Sequence, residues 1–173
     1  MTLNLPVSDE ANELLSRSPL ALLLAMMLDQ QVPLEKAFSS PYELARRLGH
    51  EPTAAELAEF DPDALVAIFS ERPALHRFPR AMAGRAQELA RQLVDQYDGD
   101  AAGVWTGVET GQELIARLSK LAGFGGYKAQ ITTGANPSVA RAPGAASNSP
   151  TSACSLTRRL HFAWSFTTAV NRG

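Results

Sequence analysis

Residues 20–31 read Leu-Ala-Leu-Leu-Leu-Ala-Met-Met-Leu-Asp-Gln-Gln, with no polar side chain before Asp29. Leucine or methionine at 20, 22, 23, 24, 26, 27 and 28 leaves a helix here almost no polar face, so it must be buried centrally. The apolar run is too short to span a bilayer, which takes about 20 residues, and polar residues follow at once. Pro33 prevents simple continuation beyond the two glutamines.

The flanking sequence predicts the helices that surround this segment. Ser8 caps a first helix whose opening turn carries Asp9 and Glu10, the sign the helix dipole favours. Ser18-Pro19 restarts the chain with proline at a first helical position. Pro41 is expected to open a piece over 42–48 that stops at Gly49. Thr53 caps 54–60, and Asp61-Pro62 opens a segment to Phe69. Phe78-Pro79 leads into a long helix over about 80–97, striped by Met82, Ala86, Leu89, Ala90, Leu93 and Tyr97, and ended by Asp98-Gly99. Val104 and Trp105 pack locally before Thr110 or Gln112 starts a helix that runs over 113–120. No strand alternation precedes residue 131, so residues 1–131 are predicted to form an all-α, multi-helix body of about eight pieces.

That last helix is broken by Leu121-Ala-Gly-Phe-Gly-Gly-Tyr-Lys-Ala-Gln-Ile131. Gly123, Gly125 and Gly126 suit a turn at positive φ with a close backbone approach, and Lys128, Ala129 and Ile131 read as the opening of another helix. Successive N–H groups running into a helix N-terminus form a concavity for phosphate, while a glycine C-cap at an αα-corner explains the same glycines structurally. Leu121 and Phe124 are placed to anchor the turn to the core.

Charge and composition divide the chain. The net charge is −2, no Asp or Glu follows Glu113, and residues 132–173 hold four arginines and no lysine. The tail is therefore +4 and residues 1–131 are −6, which argues mildly against nucleic acid unless basic residues gather on one face. From Thr132 to Ala153 the composition is that of an irregular linker, so 132–173 is predicted to be a low-complexity tail. The abrupt change in mid-element suggests a reading-frame change or chimera. The single cysteine, Cys154, cannot assemble a disulfide framework, a cysteine-based zinc site or a Cys-ligated iron–sulfur cluster, and no cofactor is expected. His50, His76 and His161 show no metal-ligand spacing. With no signal-peptide pattern at the start, a cytoplasmic location is expected.

In order and spacing, an apolar helix ending in Gln30-Gln31, a long helix ending in Asp98-Gly99, and Leu121-Ala-Gly-Phe-Gly about two dozen residues later resemble one family. It is the helix-hairpin-helix superfamily of DNA glycosylases, the endonuclease III-like base-excision enzymes, and the resemblance covers residues 20–131. It implies that hairpin N–H groups at Gly123, Phe124, Gly125 and Gly126 hold the backbone of double-stranded DNA. It implies too that Gln31, with Gln30 beside it, fills the gap left by a nucleotide rotated out of the stack. Taken alone, both glutamines also read as the solvated end of a buried helix. Ala122 stands where the family has proline.

The same resemblance makes the catalytic machinery incomplete. The family's carboxylate follows the second hairpin helix, where this chain has no acid. Its Schiff-base lysine stands two residues after the last hairpin glycine. Counted from Gly125 that position is Tyr127, with Lys128 one residue on and about 100° further round a helix. Lys128 and Tyr127 are the catalytic candidates, and Lys128 reads better as a phosphate contact. Among the cations of the acidic body, Arg77, Arg80 and Arg85 cluster with His76 around Phe78, and His76 and Tyr42 are candidates to line a base pocket. The expected function is damaged-base removal by N-glycosidic cleavage, in a chain that can be inactive as it stands. The alternatives are a DNA-gripping module without catalysis and a helical interaction domain without a nucleic-acid role.

Overall fold

Serine and threonine hydroxyls start most of the helices where the sequence places them. The computed structural model describes residues 5–125, and among these it shows seven α-helices, one 3-10 turn and no strand. The chain divides into two units. The first runs up to Val104 and adds Leu121–Gly123; the second comprises Trp105–Lys120 and residues from Phe124 on. Gly126, Tyr127, Lys128 and the tail after 131 lie outside the described residues.

In the first unit, α1 (Asp9–Arg17) is capped by the Ser8 hydroxyl, which accepts the Ala11 N–H. Ser18 does the same for α2 (Pro19–Leu28), accepting the Ala21 N–H. All residues of α2 from Leu20 to Leu28 are buried, as the absence of a polar face requires. Each fully buried Leu or Met contributes roughly 1.5–3 kcal/mol through the apolar surface removed from water. α2 packs chiefly on α1 and on α3 (Leu34–Leu48).

Two boundaries differ from expectation. α2 ends at Leu28 rather than running to Gln31, because Asp29 leaves the helical region at φ −71°, ψ 66° and the chain turns toward Pro33. The second difference is Pro41, which lies inside α3 instead of opening a helix. An interior proline removes one backbone bond and costs about 3 kcal/mol. Here Ala37, Phe38, Ser40, Pro41 and Leu44 are all buried on one side of α3, and that packing overrides the local penalty. Gly49, at φ 79°, ends α3 in the left-handed conformation.

α4 (Ala54–Glu59) and α5 (Pro62–Ser70) are capped by Thr53 and Asp61, and both pack on α6 (Pro79–Tyr97). α6 buries Met82, Ala83, Ala86, Leu89, Ala90 and Leu93, and its Gln87 amide donates to the Phe60 carbonyl at 2.6 Å. Asp98 and Gly99 close it at φ 51° and 80°. A 3-10 turn over Ala101–Val104 follows, with Val104 fully buried.

In the second unit, the Thr110 hydroxyl caps α7 (Gly111–Ser119) by accepting the Glu113 N–H. Glu113 pairs with Arg117 at 2.7 Å, and Arg117 also donates to the Thr106 carbonyl. Leu114 and Leu118 form the buried side of α7. No helix of the described residues is long and apolar enough to cross a membrane.

Candidate functional site

The turn that follows α2 is held from three directions by side chains. The Gln30 amide donates to the Met27 carbonyl at 2.7 Å and to the Gly123 carbonyl at 3.4 Å, and its oxygen accepts from Arg85 at 2.9 Å. The Gln30 carbonyl accepts from His76 Nε2 at 2.9 Å. His76 Nδ1 in turn accepts the Phe78 N–H at 3.0 Å, so Nε2 is the protonated ring nitrogen. The imidazole is 2% exposed and spends both nitrogens on backbone, which makes it a brace between this turn and the start of α6. Tyr42 stands half-buried on α3.

Gln31 differs from its neighbour. Its side chain is exposed and its backbone is left-handed, at φ 56°. A non-glycine residue there costs about 1–2 kcal/mol against ordinary backbone. Of the two glutamines, Gln30 is tied down and Gln31 projects.

The glycine hairpin meets this turn at Gly123. Its φ is +82°, and a Cβ there would stand 2.5 Å from Met27 Cγ, inside any tolerable contact. The close approach that the glycine permits is thus made to α2. Gly125 departs from the expectation of positive φ: its φ is not in that range, and a Cβ there would meet nothing within 4 Å. The conformational freedom of glycine is needed at Gly123 and not at Gly125. Leu121 and Phe124 are buried, at 3% and 2%. The Ala122 N–H donates to the Gln92 amide oxygen at 2.7 Å, so this donor is already used within the fold.

Arg77, Arg80 and Arg85 are exposed at the start of α6 and in its second turn. Among the described residues none of the three joins an ion pair, whereas Arg17, Arg46, Arg47, Arg91 and Arg117 all do. Phe78, between Arg77 and α6, is 43% exposed, and the Arg77 guanidinium lies 5.3 Å from its ring centre.

The structure therefore gathers Gln30, Gly123, Arg85 and His76, four residues from three separated stretches of the chain. Sequence reasoning missed Gln92 and the Arg85–Gln30 bond. Positions 85 and 92 are seven apart, two helical turns, and so lie on one side of α6. A polar pair at that spacing beside an apolar stripe is the signal that was available. No family model, curated protein or solved structure matches this chain.

Proposed function

We propose that this chain binds duplex DNA through the turn after α2, the start of α6 and Gly123 of the glycine run. The body is that of a base-excision DNA glycosylase, which grips DNA but as it stands does not excise a base. The observation that supports this reading is Gln31: an exposed side chain on a left-handed turn, braced beneath by Gln30, His76 and Gly123. Arg77, Arg80 and Arg85, which join no ion pair among the described residues, give the same part of the unit a positive face on an otherwise acidic body. Such a face draws the phosphate backbone while the acidic remainder repels it elsewhere. Gln31 then occupies the space of a displaced nucleotide. Base removal needs a fixed carboxylate beside the developing sugar cation, and no acid follows Glu113.

Binding to a labelled duplex of about two helical turns, followed by anisotropy at several salt concentrations, tests this. Three arginine–phosphate contacts give a slope of log K on log salt of about −2.7, and a Lys128 contact brings it to about −3.6. Lys128→Ala and Arg80→Ser should each lower the slope by about 0.9. Gln31→Gly suits the left-handed backbone, so the fold persists and a fall in affinity reads the side chain alone. No salt-dependent binding between 50 and 200 mM salt would overturn the reading and leave a helical interaction domain.

A further inference from the structure

Phe78 is the large hydrophobic side chain that the described residues leave exposed, and its setting differs from that of a stray surface residue. Its backbone N–H is fixed by the buried His76 ring, which is itself fixed to the Gln30 carbonyl. The aromatic side chain thus stands on a rigid turn directly connected to the one that carries Gln31. The Arg77 guanidinium, 5.3 Å from the ring centre, adds a second planar group with a positive charge. Arg80 follows in the first turn of α6 without an acidic partner among the described residues. An exposed aromatic ring flanked by Arg77 and Arg80, which join no ion pair among the described residues, fits an unstacked nucleobase: the ring or the guanidinium takes the base face, and the arginines take the phosphates on either side. A docking protein would need a broader apolar surface than one half-exposed ring provides.

We propose that Phe78, with Arg77, is a stacking platform for an unpaired base, so that the chain prefers DNA carrying a bulged or extrahelical base to fully paired duplex. This inference rests on the DNA-binding reading and assigns that site its preferred ligand. His76 fixes the Phe78 backbone in advance, so little loop ordering opposes the contact.

The test compares two labelled duplexes of equal length, one fully paired and one with a single bulged 2-aminopurine, against the full chain. Wild type should bind the bulged duplex about tenfold more tightly and quench its 2-aminopurine fluorescence, the size expected for one base stacked on an aromatic ring. Phe78→Ala and Phe78→Leu should lose both the preference and the quenching, while Phe78→Tyr retains them; thermal melting of each variant confirms that the fold is kept. The leucine variant separates stacking from simple apolar contact. Salt-dependent binding with equal affinity for the two duplexes, or a preference that survives in Phe78→Ala, overturns the stacking platform and leaves the DNA-binding reading intact. Failure to bind either duplex overturns both.

Discussion

Gly123 and Gly125 stand two residues apart in one glycine run, yet the fold asks different things of them. At Gly123 an alanine would be forced into the left-handed region and against Met27 Cγ, a mid-chain atom of a fully buried side chain. Backbone strain of about 1–2 kcal/mol and overpacking of about 1–3 kcal/mol add to an expected loss of about 2–5 kcal/mol for Gly123→Ala. Gly125→Ala meets open space at an ordinary φ and should change stability by less than about 0.5 kcal/mol. Urea denaturation of the two variants checks the pair, and equal losses would show that the hairpin's glycines act as one unit. The run of glycines was legible in the sequence as a turn with a close approach. What it approached was not, because the spacing of residues along a chain says nothing of which helix arrives beneath the turn. The same applies to the two glutamines, alike in sequence until Gln30 is seen bonded to Gly123 and Arg85.

At the scale of elements, the helix starts were legible because a capping oxygen and the N–H that donates to it lie within three residues of each other. Pro41 was misread for the complementary reason, since its tolerance inside α3 depends on burial against distant residues. α3 also carries the arginine that fastens the end of α5. The Arg47 side chain, 5% exposed, donates to Glu43 at 3.0 Å and to the carbonyls of Ile68, Glu71 and Pro73. Glu43 bonds Arg46 as well, at 2.8 Å and 2.9 Å. Those Arg46 bonds foremost, opposed by burial and helped by the Arg47 bond, hold the Glu43 carboxyl down at about 2 instead of 4.5. A carboxyl depressed in the folded state stabilises above its unfolded value, and this contribution fades as pH falls from about 4.5 through 2. The stability difference between wild type and Glu43→Gln should therefore be about 2 kcal/mol at neutral pH, the charge-assisted bonds being partly screened at the exposed Arg46, and shrink toward pH 2. A difference that stays constant from pH 7 to pH 2.5 in urea denaturation would mean that the Glu43 charge contributes nothing to holding α3.

For the molecule as a whole, the all-α body was legible through residue 125, and the candidate chemistry was legible only through a resemblance. Physical pattern alone distinguishes a buried helix from a surface one, but it does not say what an exposed glutamine touches. The charge distribution is a whole-chain property that bears on chemistry directly. Cleavage of an N-glycosidic bond places positive charge on the sugar, and a fixed carboxylate is the usual partner for that charge. All eighteen acids lie at or before Glu113, and the Glu113 carboxylate itself accepts from Arg117 and from the Glu109 N–H. Removing one such electrostatic partner costs on the order of a hundred- to a thousandfold in rate. Single-turnover incubation with a panel of lesion-bearing and abasic duplexes at neutral pH should thus give no excision above the uncatalysed background, at protein concentrations that saturate binding. Introducing a carboxylate after the hairpin, for instance Ser138→Asp, should not restore it unless the side chain reaches the sugar of the displaced nucleotide. Robust cleavage by the unmodified chain would mean that a residue ahead of the hairpin supplies the charge, and Glu113→Gln would then be the first variant to abolish it.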